Sequence, residues 1–279
     1  MIARVPATSA NFGPGFDALG MALSLSAEVG VLADGETVPD GAHAADEHHL
    51  ATVAFRLLRG TGDLWVRSPI PMGRGLGYSA AVRVGGLMLA CAQRDGADSA
   101  AVAGFTDEVL RCAIHLEGHA DNAAAAVLGG VVATTGDRSI RVPMGFDPVV
   151  VVWVPSFSTR TDHSRSQLGA NVTLADAVFN IGHVAYLIAA LAAGDVGVLR
   201  HATQDRLHQA ARFAAAPQSL AAYEATLEGG AWCAWLSGSG PTVAALCALD
   251  TAADLAASLP GDGHVKVLRI DHGGATLEG

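Results

Sequence analysis

Three glycines at alternate positions, Gly73, Gly75 and Gly77, stand just before Ser79 and a long run of small and apolar residues. Glycines so spaced let a backbone approach a ligand closely and turn its N–H groups inward. A helix starting near Ser79 points the positive end of its dipole back at that loop. The stretch Pro71 to Ala81 is therefore the kind of cradle that takes a phosphate. It is not a dinucleotide fingerprint, because G-x-G-x-x-G is unmatched and no strand-borne acidic partner is in place. Gly77-Tyr78-Ser79-Ala80-Ala81 also comes close to the nucleophile elbow of a hydrolase. That reading is weaker, since Pro-Met-Gly-Arg-Gly ahead of it is poor strand material.

A second polar cluster is His115-Leu-Glu117-Gly-His119-Ala-Asp121-Asn122. His115 and His119 have the i, i+4 spacing of a helical metal pair, but HExxH is unmatched and Gly118 weakens a helix there. Glu117 is a hard oxygen ligand of the type Mg²⁺ uses when phosphates supply the remaining ligands. Asp121 and Asn122 can fix an amine or a hydroxyl, or simply cap a helix. Arg165 and Arg212 are either surface cations or two guanidinium forks meeting at a carboxylate. Leu236-Ser-Gly-Ser-Gly-Pro-Thr242 is a third glycine-rich turn, small enough to close over a ligand.

Composition removes several alternatives. The 279 residues suit one large domain or two smaller ones, and 51% hydrophobic residues suffice for a core. A net charge of -10 argues against nucleic acid or an anionic membrane as partner. Lys266 is the only lysine, which excludes a P-loop lysine and a V-A-I-K kinase. Any phosphate must be held by backbone N–H groups, a helix N-terminus, a metal or arginine. The four cysteines form no CxxC pair, so neither a disulfide framework nor a zinc knuckle is expected. The N-terminus lacks a signal-peptide pattern and no spanning segment stands out, which points to the cytoplasm.

The elements that must position these groups follow from periodicity and breakers. Strands are expected over 2–8, 23–33 and 63–68, with a helix over 49–59 and an acidic loop over 34–47. Helices over about 79–94 and 98–115 follow, then a strand pair, 129–135 and 139–142, across Gly136-Asp137. The second half opens on the apolar run 149–154 and continues with helices over 173–193, 195–213 and 217–228. It ends strand (231–236), strand (242–248), helix (251–259), strand (264–270), an α+β chain with a boundary near 143–148.

Taken together and in order, the motifs carry a resemblance. Val5-Pro-Ala-Thr-Ser-Ala-Asn-Phe-Gly-Pro-Gly-Phe-Asp-Ala-Leu-Gly20 resembles the opening motif of homoserine kinases. Pro71–Ala81 resembles the phosphate loop of the GHMP kinase superfamily, and Leu236–Thr242 its third motif. Glu117 to Gly130 is also similar to homoserine kinases, and the likeness runs nearly end to end. It implies an N-terminal domain like ribosomal protein S5 domain 2 (residues 1–146) and a ferredoxin-like C-terminal domain (147–279), with the site in the cleft between them. The implied reaction moves the γ-phosphoryl group of ATP to the side-chain hydroxyl of L-homoserine, in threonine biosynthesis.

Position by position, the resemblance places ATP on His49, Pro71, Gly73, Arg74, Gly75, Leu76, Gly77, Tyr78, Ser79 and Ala80. It places Mg²⁺ on Ser79 and Glu117, and the amino acid on Asn11, Asp17, Asp121, Arg165 and Arg212, with Asn122 and Thr161 at the reacting hydroxyl. Relatives often dimerise, so a homodimer is admitted. The chain departs from the pattern at Tyr78, where the loop usually has serine, at Ala120 in place of proline, and at His49 where asparagine is common. These departures sit on the nucleotide side. The rival expectation is thus a relative that binds a homoserine-like amino acid but does other chemistry, or only binds.

Overall fold

The computed structural model of the chain describes residues 1–33, 35–157, 168 and 171–278. Two antiparallel sheets organise them. In the first, β1 (Ile2–Ala10) pairs with β2 (Leu19–Val31) along its whole length. β2 also pairs with β4 (Leu64–Arg67), which carries β3 (His43–Ala45), and with β5 (Val131–Thr134), which carries β6 (Ser139–Val142). The last strand, β11 (Thr276–Glu278), returns from the far end of the chain to pair with β1. From Val5 to Ala10, β1 is buried at every position, because helices cover one face and the second half of the chain meets the other. Its polar residues Thr8 and Ser9 therefore need internal partners.

Four helices serve this sheet: α1 (Leu50–Leu57), α2 (Tyr78–Asp95), α3 (Ser99–Glu117) and α4 (Ala120–Leu128). α2 is central and built of small residues. At Gly86 a Cβ would overlap the carbonyl of Ala51 in α1, so only glycine permits this close approach. Asp98 caps α3 by accepting from the Ala101 N–H at 2.8 Å.

The second sheet has the order β10 (Gly263–Arg269), β7 (Val149–Pro155), β9 (Val243–Cys247), β8 (Cys233–Leu236), all antiparallel. In chain order that is 4-1-3-2, the ferredoxin-like arrangement. Its helices are α5 (Leu174–Ala193), a short α6 (Leu199–Ala202), α7 (Gln209–Ala215), α8 (Pro217–Glu228) and α9 (Ala252–Ser258). One continuous apolar core joins the halves, running from Val5, Val29 and Leu87 to Val150, Val152 and Trp235. The chain is α+β, and its second half has the ferredoxin-like strand order.

Several expectations need correction. The single helix expected over 195–213 is broken into a 3₁₀ turn (Val196–Val198), α6 and α7. Asp205 causes the break: its carboxylate accepts from the N–H groups of Leu207, His208 and Gln209. These bonds replace helical ones and restart the helix. α4, β3 and β11 were not anticipated. α4 is short, alanine-rich and follows Gly118, and the two strands are three residues each, too short for a period to show. α5 is long and apolar enough to cross a membrane by length and composition alone. It is instead tied into the fold by buried Leu187 and Leu191 and by Asn180, which donates to the Pro14 carbonyl at 3.1 Å.

Candidate active site

The glycine-rich loop joins β4 to α2 and is held from both sides. Thr8 N–H of β1 donates to the Leu76 carbonyl at 3.1 Å, and Ser237 Oγ donates to the Gly75 carbonyl at 2.6 Å. Gly75 and Gly77 have φ of 74° and 68°, in the left-handed region. A Cβ would overlap the Ser237 carbonyl at the first and Thr8 Oγ1 at the second. Both glycines are thus demanded twice, by dihedral and by space. Gly77 precedes the first turn of α2, whose unsatisfied N–H groups face the loop.

Loop, α2 start, α4 start and β1 end enclose a cavity of about 250 Å³. Its wall includes Pro71, Gly73, Arg74, Gly75, Leu76, Gly77, Tyr78 and Ser79 on one side. Asn11, Asp17, Glu117, Asp121, Asn122 and Arg212 line it as well. Ala80 is buried behind the wall. Arg74 gives two of its nitrogens to the carbonyls of Pro155 and Ser156, at 2.9 and 2.5 Å. It ties the loop to the end of β7.

Tyr78 turns its hydroxyl to His49, 3.3 Å from Nε2. His49 caps α1, its Nδ1 accepting from the Ala51 N–H at 3.1 Å. The neutral ring therefore carries its proton on Nε2 and donates it to the phenol oxygen. Burial pushes the His49 pKa below, and the Tyr78 pKa above, their usual values, so both groups stay neutral near pH 7.

Ser79 and Glu117, far apart in sequence, meet. Ser79 Oγ donates to Glu117 Oε1 at 2.5 Å. A third residue, Arg83, was not anticipated. Its Nη1 donates to Ser79 Oγ at 3.0 Å and pairs with the same Glu117 Oε1. The signal was present in the sequence: Arg83 is the only charged residue in the first four turns of α2, among buried Val82, Val84, Gly85 and Gly86. A hydroxyl and a carboxylate suit Mg²⁺ chemically. As arranged, however, Glu117 Oε1 and Ser79 Oγ are already engaged with a guanidinium, so the pair does not fit a metal ion without rearranging. The histidine pair is not formed either: α3 stops at Glu117 and Gly118 takes φ 77°, which breaks the helical spacing. His115 is exposed, whereas His119 lines the cavity with a buried Nδ1 that has no hydrogen-bond partner.

The other end of the cavity is polar and buried. Asn11 and Asp17 both take φ near +55°, conformations that asparagine and aspartate tolerate best after glycine. Asn11 Oδ1 accepts from the Asp17 N–H at 2.9 Å, and its Nδ2 donates to the Gly238 carbonyl at 2.8 Å. Asp121, at 2% exposure, accepts from the Asn122 N–H at 2.8 Å. Burial, with the Asp17 charge adding, pushes its carboxyl up to about 6. Thr8 Oγ1 donates to Asn122 Oδ1 at 2.6 Å, which leaves the amide nitrogen of Asn122 free to donate. Thr8 is therefore a site residue that its place in an extended strand had hidden.

Arg212 is 4% exposed and reaches the cavity from α7. Its Nη1 donates to the Gly238 carbonyl and to His208 Nδ1, both at 3.0 Å. His208 Nε2 lies 2.9 Å from the Gly13 carbonyl, so the neutral ring donates there and accepts from Arg212. Burial holds its pKa below the usual value. Thr161 and Arg165 lie outside the described residues.

The whole arrangement can seat an anion on the loop and α2, an amine beside two carboxylates, and a carboxylate on Arg212. Comparisons with known proteins agree with it. Residues 45–130 match the GHMP kinases N terminal domain and residues 187–263 the GHMP kinases C terminal domain. The chain is 40% identical to a homoserine kinase of Moorella thermoacetica over 273 residues, 88% of this chain and 87% of that protein. It is 37% identical to a homoserine kinase of Thermus thermophilus over 289 residues, 96% of each. The crystal structure of homoserine kinase from Cytophaga hutchinsonii superposes with a TM-score of 0.83 at 23% identity, covering 99% of this chain and 96% of that one.

Proposed function

The chain belongs to the homoserine kinase family of the GHMP kinases, and on that premise we propose that it phosphorylates the side-chain hydroxyl of L-homoserine with ATP as co-substrate. The observation that carries the substrate reading is a single cavity with a phosphate loop at one end and amino-acid recognition groups at the other.

The loop N–H groups and the α2 N-terminus bind the nucleotide phosphates and stabilise charge on the transferred phosphoryl. His49 and Tyr78 wall the nucleoside side, with the phenol held off the loop by its bond to the imidazole. Arg212 takes the substrate carboxylate, with Arg165 as its expected partner. Asp17 pairs with the ammonium, a charge-assisted bond. Asp121 accepts from the reacting hydroxyl, and the Asn122 amide, oriented by Thr8, donates to it or to the incoming phosphoryl oxygen. Thr161 is proposed to act at the same hydroxyl. Catalysis then rests on holding the hydroxyl in line with the γ-phosphorus rather than on a strong base. A divalent cation would arrive on the nucleotide phosphates.

The test is direct. Purified protein with ATP, a divalent cation and L-homoserine should release ADP and form a phosphomonoester. No ADP release, under conditions in which a known homoserine kinase turns over, would overturn the reading. Amino-acid binding without ATP binding would favour the rival, a relative that only binds.

A further inference from the structure

Arg83 stands in a helix that otherwise offers only small and apolar residues to the core. An arginine there must have its charge matched, since an uncompensated buried cation is costly. Its match is Glu117, whose side chain is 6% exposed, against 20% for Arg83. Ser79 lies one helical turn earlier, so the guanidinium reaches hydroxyl and carboxylate together. Ser79 and Glu117 line the cavity, whereas Arg83 is absent from its wall and approaches the pair from the helix side. Among the described residues no group of three or more His, Cys, Asp and Glu side chains could hold a metal ion. Beside the loop and the α2 start, the side-chain oxygens open to a divalent cation are those of Glu117 and Ser79, and Glu117 Oε1 and Ser79 Oγ are both bonded to Arg83.

We propose that Arg83 is the resident cation of the phosphate site: its guanidinium holds the position between Ser79 and Glu117 and excludes a divalent cation from those two ligands. One positive charge is thereby supplied by the chain, fixed beside the α2 N-terminus, and a metal ion gains Ser79 and Glu117 only by displacing it. The inference rests on the cavity being a nucleotide-phosphate site. It concerns what the protein contributes there, and not whether ATP binds.

The experiment is a titration of the protein with MnCl₂, followed by the electron paramagnetic resonance signal of free Mn²⁺, without nucleotide and again with ADP. Wild type, Arg83→Met, Arg83→Lys and the double variant Arg83→Met/Glu117→Gln are compared, each checked for folding by its melting temperature. Wild type without nucleotide should show no site below millimolar Mn²⁺. Arg83→Met should bind one Mn²⁺ at least about tenfold more tightly, and the added Glu117→Gln change should abolish that site. Arg83→Lys, which keeps the charge but loses the planar fork, should fall between wild type and Arg83→Met. Micromolar Mn²⁺ binding by the wild type would overturn the proposal whatever the variants do. So would a folded Arg83→Met or Arg83→Lys protein with unchanged Mn²⁺ affinity. Failure of every protein to bind ADP would instead count against the nucleotide reading, and the Mn²⁺ titration without nucleotide would still decide the role of Arg83.

Discussion

Tyr78 shows how one side chain can sit where the family pattern has a much smaller one. A phenol at the loop would block phosphate if it lay along the N–H groups, but its hydroxyl is turned to His49 instead. ATP binding measured by calorimetry should accordingly be micromolar in the wild type. Tyr78→Ser should weaken it between about twofold and tenfold, the worth of one aromatic packing contact. Tighter binding by Tyr78→Ser would mean that the ring obstructs the site. Asp121 sets a pH dependence. Its carboxyl is raised to about 6, so only above that pH does the reacting hydroxyl meet a charged carboxylate, the stronger acceptor and the form able to take a proton. We expect kcat/KM to rise about tenfold per pH unit below about 6 and to level off above it. An Asp121→Asn enzyme with the same break would refute this assignment. For the fold the sign is opposite. A raised carboxyl pKa stabilises the unliganded protein while protonated, and that contribution is lost as pH rises through about 6.

The segment from α6 to α7 places Arg212 through an interruption in helix. Asp205 gathers the N–H groups of Leu207, His208 and Gln209, and Asn180 of α5 donates to it at 2.8 Å. The turn so formed carries His208, which in turn holds Arg212 against Gly238. Asp205→Ala removes the cap and leaves three N–H groups without their carboxylate. A loss of about 2 kcal/mol is expected from the capping term. For a chain of this size that lowers the melting temperature by roughly 4–8 °C. The KM for homoserine should rise as Arg212 loses its setting. An unchanged melting temperature would show that water satisfies the turn equally well.

At the scale of the molecule, the site exists only because the two halves of the chain share one core. Ser237 and Gly238, from the turn between β8 and β9, bond to Ser9, Ala10, Asn11 and Gly75 of the first half. Phe12 packs on Trp235 with ring centroids 4.2 Å apart, and the Trp235 indole donates to Ser9 Oγ at 2.9 Å. Away from this seam, α5 exposes Leu174, Val178 and Ile181 along one face, at 81%, 60% and 69%.

The sequence by itself determined whatever depends on local backbone demands. Gly73, Gly75 and Gly77 marked the phosphate loop because all three take left-handed dihedrals, and at Gly75 and Gly77 close contacts exclude a side chain as well. Long periodic runs marked α2, α3, α5, β1, β2 and β7 to within a few residues. The same logic missed α4 and the Asp205 break, where a helix begins after glycine or is interrupted by one side chain. Only the tertiary structure decided which polar groups share a partner. Thr8 meets Asn122 across 114 positions, Arg83 meets Glu117 across 34, and Arg212 meets Gly238 across 26. No local preference encodes such pairings. They follow from burying β1 against α4, α2 against α3 and α7 against the turn between β8 and β9, where each polar atom removed from water had to find its bond inside.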